Sequence, residues 1–312
     1  MELQLASEIE KAARDRVTFA AWGQRLALEQ FLERERLLRA QAWATAGMRT
    51  WLLVDSGEVK ASCETFAMGA RFRGERGVVE GVASVYVEER LRGQRHASEM
   101  FQQLLPRLKG EGALASILFS DVGEALYARA GYVARPAIER HFQSEAGNPA
   151  NVCDAVFTDA MDDLRAALAG APEPEDALLL YPSPGQLDWH IERERAYAKL
   201  LGLSRPRVHG ARAGAARAIW AGDLKHDQLV ILWLAATRSD EALAVVQAAQ
   251  RVAKAAGLSK VVLWECAWPF EWADDAGAGK RIHRADSIPM IAPLATGLDA
   301  RAWGQTSRGV WI

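Results

Sequence analysis

The chain is 312 residues long, half of them apolar and a quarter charged, with a formal net charge of −2. That length leaves room for two domains with sizeable cores. A near-neutral balance without a basic tract argues against nucleic acid as a partner, and the lack of any run of about 18 uncharged apolar residues argues against a membrane span. Cys63, Cys153 and Cys266 are odd in number and far apart, which fits reduced thiols better than a disulfide frame or a zinc site. Met1 to Lys11 carry no basic-then-apolar leader pattern. The expectation is a cytoplasmic protein that needs no metal; nothing in the sequence sets its oligomeric state.

In chain order, Leu3 to Leu5 reads as a strand, and Ser7 as the cap of a helix through Arg14. Phe19 to Ala42 reads mainly as helix, with Trp22, Leu26, Phe31, Leu32 and Leu38 on its apolar side. Its Glu33-Arg34-Glu35-Arg36 run reads as a solvated face. Trp51 to Val54 is a strand, Asp55 to Glu58 a turn, and Val59 to Phe66 the next strand. Between Gly77 and Tyr132 comes a compact strand–loop–helix–strand–helix unit. Val82 to Val87 and Leu114 to Ser120 are short apolar runs suited to buried strands. Ser98 to Lys109 places Met100, Phe101, Leu104, Leu105 and Leu108 at helical spacing. Pro106 should kink that helix or loosen its last turn, and Gly110 and Gly112 end it. Asp121 to Tyr132 reads as the closing helix.

Val152 to Phe157, a strand, and Asp159 to Leu168, a helix, finish a first domain. The small, proline-rich, acidic stretch from Ala169 to Asp176 is the clearest linker. The expected division is therefore residues 1–170, a linker at 171–176, and residues 177–312. The second half repeats the pattern of the first. Leu229 to Leu234, Asp240 to Ala256 and Lys260 to Cys266 read as strand, helix and strand, and Gly257 falls where Gly112 falls in the first copy.

Chemistry shows in the loop of the first unit. Arg92, Gly93, Gln94, Arg95, His96 and Ala97 stand at a helix entrance that continues into Ser98. A helix N-terminus offers unpaired backbone N–H groups and a partial positive charge. Gly93 permits close approach and the two arginines add charge, so the stretch suits a pyrophosphate cradle. A solvated basic turn has the same composition.

With Tyr127, Gly131 and Tyr132 at the right distance downstream, the loop resembles the GNAT family, the acyl-CoA-dependent N-acetyltransferases. Arg92 and Ala97 match the ends of the family's loop motif, and Arg95 stands at its internal glycine. That substitution either restricts the backbone's approach to phosphate or adds a guanidinium that binds one. A narrower resemblance, to the fungal lysine N6-acetyltransferase family, rests on blocks in both halves. These are Ser62-Cys63-Glu64-Thr65, Gly81 to Val85, Phe119 to Gly123, Trp189-His190 with Arg193-Glu194, and Asp286 to Pro289. The resemblance implies an α+β GNAT fold, a mixed central sheet flanked by helices, followed by a second, degenerate GNAT-like domain. It implies acetyl-CoA as co-substrate and a small-molecule amine, lysine first, as acceptor. Another small amine, a protein lysine, or a non-catalytic acyl-CoA-binding module are the rivals.

By the same resemblance Tyr127 is the acid that protonates the leaving thiolate. Backbone N–H groups of Val85, Tyr86 and Val87 hold the pantetheine and the acetyl oxygen where two central strands splay. The base is open between Glu80, Glu64 and a water chain. Glu64, charged within an apolar strand, should meet a cation, either the substrate or an arginine. Asp121 caps the closing helix or meets substrate. Trp189, His190, Asp286 and Ser287 would wall the substrate pocket, and Arg281 and Arg284 are candidates for a substrate carboxylate. In the second copy, Thr237 to Glu241 has no glycine and sets two carboxylates at the helix entrance, which repel phosphate. Ser239 or Asp240 reads there as an ordinary N-cap. One acetyl-CoA site is expected, in the first domain.

Overall fold

In the computed structural model the described residues are 1–145, 155–157, 177–180, 182–266, 270–272, 277, 279–304 and 307–311. The proposed linker, the helix expected from Asp159 to Leu168, and Cys153 lie outside them.

The chain opens with β1 (Glu2–Leu5) and α1 (Glu8–Trp22). Ser7 and Glu10 form a reciprocal capping box at the start of α1. The helix passes Arg14, where it was expected to stop, because no breaker occurs before Gly23. There the Phe19 ring fills the space a side chain would need, and the single helix expected from Phe19 to Ala42 is divided. α2 (Leu28–Arg39) and α3 (Ala42–Gly47) follow as separate elements. The charged run on α2 is also not wholly solvated: Arg34 is buried against the Phe31 and Tyr197 rings.

β2 (Met48–Asp55), β3 (Glu58–Phe72) and β4 (Glu75–Tyr86) make an antiparallel meander. The β3–β4 hairpin is much longer than the apolar runs indicated. Its turn places Arg73 at φ 52° and Gly74 at φ 78°, the two positive φ values that a tight hairpin with strand-compatible twist requires. After a loop come α4 (His96–Gly110) and β5 (Ala115–Ser120). α4 continues through Pro106 and ends where Gly112 takes φ 89°. The closing helix shrinks to α5 (Ala125–Ala128), and Tyr127 lies in its third position.

The next strands are β6 (Val133–Ala134), β7 (Ile138–Gln143) and β8 (Ala155–Phe157). α6 (Pro184–Leu201) leads to β9 (Gly210–Ala213), β10 (Ala216–Asp223), β11 (Gln228–Ala235), α7 (Ser239–Ala255), β12 (Lys260–Trp264), β13 (Lys280–His283) and β14 (Ile288–Pro293). Two seven-stranded mixed sheets result, with orders β1-β2-β3-β4-β5-β14-β6 and β13-β7-β12-β11-β10-β9-β8. Each has one parallel pair, β4–β5 and β11–β12, joined by the crossover helices α4 and α7. The α+β architecture with a repeated unit is therefore present.

Sheet membership does not follow chain order. β7 and β8 precede the proposed linker yet belong to the second sheet. β14 follows it yet pairs with β5 along six residues of the first. The strand expected to finish the first domain, of which 155–157 are described, is instead the far edge of the second sheet. α4 closes one face of the first sheet with Met100, Phe101, Leu104 and Leu108, all buried. α7 does the same for the second sheet with its small face of Ala242, Val245, Val246 and Ala249.

Candidate active site

β4 and β5 pair only from Val79 to Val82 on β4, although β4 runs on to Tyr86. Beyond Val82 the two strands part. In the same stretch β4 is bulged against β3, with Glu64 opposite Ala83 but Ser62 opposite Tyr86. Ser84 takes φ 52° there, a left-handed conformation that costs a non-glycine residue about 1–2 kcal/mol. Arg14 of α1 holds it. Its Nη2 donates to the Ser84 carbonyl at 2.6 Å, its Nε to Ser62 Oγ at 3.0 Å and its Nη1 to Glu64 at 3.1 Å. The Ser84–Val85 peptide bond is trans, so a Ser84 carbonyl turned toward Arg14 sends the Val85 N–H the opposite way. Tyr86 packs edge-on against Trp22, and the Val87 carbonyl accepts from Arg92 Nε.

The loop ahead of α4 has the character of an anion site. Gly93 is at φ 79° and Arg95, the N-cap, at φ 64°. Arg95 thus reproduces the left-handed backbone that a glycine would supply. No side chain caps α4, so the first-turn N–H groups at His96, Ala97 and Ser98 stay available to a ligand. Gln94 is tied back to the Arg90 carbonyl. Among the described residues no carboxylate pairs with Arg95. His96 is buried with neither ring nitrogen hydrogen-bonded.

A cavity of about 870 Å³ opens from the parted strands toward the second sheet. Its wall includes Ala83, Ser84, Val85, Tyr127, Glu64, Trp189, Asp286 and Ser287. Tyr127 is buried between Phe101 and Tyr132, and burial pushes its hydroxyl up to about 12, with the Asp121 charge adding to the effect. It therefore stays a protonated phenol at neutral pH. Asp121 does not cap α5. It accepts from the Ser287 N–H and hydroxyl at 3.0 and 3.1 Å, tying β5 to the loop before β14.

The two candidate bases fare differently. Glu64 lines the cavity, and the cation it meets is arginine: Arg14 at 3.1 Å and Arg39 at 3.0 Å. Burial opposes its charge, but the two guanidiniums hold its carboxyl below the ordinary range. A carboxylate so held is a weak proton acceptor. Glu80 is buried on the α4 side, bonded to Arg49 at 2.9 Å, with burial raising its carboxyl; it is not part of the cavity wall. His190 is also outside the wall. It is buried neutral, down to about 3 through burial and neighbouring arginines, and meets the Gly309 carbonyl at 3.2 Å. Arg281 is half-exposed on edge strand β13 and pairs with Glu265. The structure thus gathers Tyr127, Glu64, Trp189, Asp286 and Ser287 at the cavity, and leaves Glu80, His190 and Arg281 away from it.

Sequence reading missed several wall residues. Arg14 looked like an ordinary helix residue. Arg34 and Glu35 form an ion pair within the run read as solvated. Asp223 and His226, joined at 2.8 Å, reach the wall from the β10–β11 hairpin. Arg308, also missed, and Arg284, which sequence reading did name as a carboxylate candidate, both lie over Trp264, with guanidinium centres 5.0 and 3.5 Å from its ring centroid. Burial lowers their basicity to about 9 and about 10. Among the described residues, no cluster of His, Cys, Asp or Glu is arranged to hold a metal ion, and no helix is long and apolar enough to cross a membrane.

The second copy lacks the corresponding opening. Arg238, not Ser239 or Asp240, is the N-cap of α7, and Asp240 pairs with it at 2.7 Å. β11 and β12 part after Ile231, but a 3-10 turn, Arg308–Val310, packs there. A side chain at Gly309 would sit 2.8 Å from the Leu232 carbonyl. The chain itself fills the position that the first copy leaves open.

Two family models match. One, described as the LYC1 GNAT-like C-terminal domain, covers residues 150–312, and one described as an acetyltransferase (GNAT) domain covers residues 19–134. A lysine acetyltransferase of Yarrowia lipolytica is 21% identical, with 86% of this chain and 88% of that protein covered. Among solved structures, a conserved protein of unknown function from Enterococcus faecalis, a probable N-acyltransferase, superposes with a TM-score of 0.64 at 12% identity. That match covers 96% of this chain and 74% of that one. A GCN5-related N-acetyltransferase from Kribbella flavida gives 0.59 at 19% identity, over 93% and 70%. The structural likenesses speak to the fold alone.

Proposed function

The chain belongs to the GNAT acetyltransferases that carry the LYC1 type of C-terminal domain, and on that premise we propose that it moves the acetyl group of acetyl-CoA to the ε-amine of free L-lysine. The observation that carries the reading is the parting of β4 and β5 after Val82, next to an uncapped α4 and over a cavity that contains Tyr127. The distant lysine acetyltransferase relative supports the choice of acceptor.

In this reading the co-substrate's phosphates meet the first turn of α4, with Arg92 and Arg95 adding charge. Its pantetheine arm runs along Val85 to Val87. Lysine enters from the cavity. Its ε-amine is mostly ammonium at neutral pH, since a lysine pKa is about 10.4, so a proton must leave before attack. Glu80 is outside the cavity and Glu64 is held ionised by two arginines. That points to His226, oriented by Asp223 and reached through water, as the acceptor; imidazole is the commonest general base. The new N–C bond forms as the carbonyl oxygen gains charge, and the Val85 N–H that Arg14 aims is the donor for it. The tetrahedral nitrogen gives up its second proton to water as the C–S bond breaks and the thiolate leaves, Tyr127 passes its proton to the sulfur, and Tyr127 regains one from solvent.

The test is a thiol-release assay with acetyl-CoA and a panel of amines, together with product mass, on the parent and on Tyr127→Phe. General acid catalysis contributes about 10²–10⁴-fold. A thiolate leaves fairly well unaided, so the expected loss in kcat lies near the lower end, with CoA affinity unchanged. A Phe variant that matches the parent rate while chemistry limits turnover removes Tyr127 from the mechanism. A parent that prefers another amine, or a protein lysine, replaces the acceptor.

A further inference from the structure

Buried guanidinium groups are ordinarily paired, because an uncompensated buried charge is costly. The arginines at one end of the cavity follow this rule. Arg14 and Arg39 share Glu64, and Arg34 pairs with Glu35. Arg284 does not. It is only 9% exposed, yet Nε, Nη1 and Nη2 all lack a hydrogen-bond partner. Arg308, equally buried and with its guanidinium centre 5.0 Å from the Trp264 ring, leaves its Nη1 without one. Trp264 gives both a π face, which attracts a cation but accepts none of its in-plane N–H bonds.

The nearby carboxylates are committed elsewhere. Asp121 takes the Ser287 N–H and hydroxyl, Asp223 takes His226 and Gln228, and Glu139 takes His141. Asp286 is exposed on the adjacent loop and makes no hydrogen bond to Arg284. What remains is a planar fork of donors, built into a cavity wall and lacking an acceptor. A carboxylate fits that fork with two parallel bonds.

We propose that Arg284, with Arg308 also over Trp264, seats the carboxylate of the acceptor and is the residue that makes the site prefer an acceptor carrying one. The proposal rests on the acetyltransferase reading and adds to it the side chain that selects the acceptor. It selects Arg284 over Arg281, whose guanidinium is spent on Glu265 outside the cavity.

Three probes separate the possibilities on the unaltered full chain. 6-Aminohexanoate keeps the carboxylate without the α-ammonium, cadaverine has no carboxylate, and lysinamide masks it. Lysine and 6-aminohexanoate should both be acetylated. Lysinamide and cadaverine should fall by about 30- to 100-fold in kcat/KM, the range expected when a doubly hydrogen-bonded charge is lost. Arg284→Gln should bring lysine down to the level of lysinamide and leave lysinamide unchanged. Arg284→Lys, which keeps the charge but not the fork, should lie between. Calorimetric binding of 6-aminohexanoate, abolished in Arg284→Gln, gives a readout independent of turnover. Equal use of lysine and lysinamide by the parent overturns the proposal while leaving the acetyltransferase intact. If no amine is acetylated, the functional reading falls, and the calorimetry alone decides the carboxylate seat: no binding of 6-aminohexanoate ends it.

Discussion

Replacing Arg14 by lysine tests whether the bulge in β4 has a chemical purpose. Lysine keeps one positive charge in the same place. It cannot hold Ser62 Oγ, the Glu64 carboxylate and the Ser84 carbonyl together, as the guanidinium does. Glu64 is not orphaned, because Arg39 still reaches it at 3.0 Å. The stability loss is therefore that of one or two charged hydrogen bonds, roughly 2–4 kcal/mol, and the chain should still fold. The local effect is more specific. Ser84 sits at φ 52°, about 1–2 kcal/mol above ordinary strand backbone. Without its buried donor the peptide between Ser84 and Val85 can relax, and the Val85 N–H swings with it. Loss of one oxyanion donor typically lowers kcat by about 10²–10³. Product CoA has no acetyl oxygen, so its affinity should hold. The assay is steady-state kcat with acetyl-CoA and lysine, set beside the calorimetric Kd for CoA and circular dichroism of the variant. A kcat within about three-fold of the parent, or a loss that only tracks weakened CoA binding, refutes the reasoning, because a transition-state contact must lower kcat selectively.

Arg95→Gly should change melting temperature little, since relief of left-handed strain is offset by greater freedom of the unfolded chain. Its CoA affinity should drop about ten-fold if the guanidinium binds phosphate; an unchanged calorimetric Kd would leave that task to the backbone alone. Glu194 is buried against the Gly222 N–H, and burial raises its carboxyl from the ordinary 4.5 to about 7. A raised carboxylate pKa gives stability that is present below about pH 4.5 and lost as pH climbs through 7. That is about 3 kcal/mol at 1.36 kcal/mol per unit. Glu194→Gln keeps an acceptor for Gly222 and should gain on the parent in melting temperature between pH 5 and 8; a constant difference across that range would contradict the assignment. Glu80→Gln should keep kcat within about two-fold of the parent, as expected of a residue with no transition-state contact, whereas a ten-fold fall would return it to the list of bases. A fragment of residues 1–170 lacks β14 and uncovers the β5 edge, so it should be insoluble or unfolded by gel filtration and circular dichroism; a monomeric, CoA-binding fragment would show that β14 is dispensable.

What the sequence made legible was what is local. The α4 face, the β5 run and the loop at Arg92 to Ala97 are contiguous signals, and each appears where its residues indicated. The boundaries that failed were set by single residues with non-local consequences. Gly23 divides the first long helix because the Phe19 ring occupies its side-chain space. Arg73 and Gly74 extend the hairpin because both adopt positive φ, and an Arg-Gly pair is a weak turn signal by composition. Arg14 and Ser84 carry no pattern at all. They meet across 70 positions, and only the folded register of β3 and β4 brings them together. The same holds for Arg284, which differs from Arg281 in its surroundings alone: Arg281 pairs with Glu265 at a sheet edge, and Arg284 lines the cavity with no hydrogen-bond partner for its guanidinium.

The exchange of strands explains why family-like blocks on both sides of residue 170 converge on one site. β14 extends the first sheet directly beyond β5, and the loop before it carries Asp286 and Ser287 to Asp121. β7 and β12 place Trp264 against Phe119 of β5, and Arg284 against Trp264. The second copy therefore has no need of a cofactor opening of its own. Its parted strands hold the chain's own turn at Arg308 to Val310, and that turn presents the Arg308 guanidinium to the cavity. One copy keeps its gap open. The other closes the gap with protein and, by closing it, supplies Arg308 and Val310 to the cavity wall.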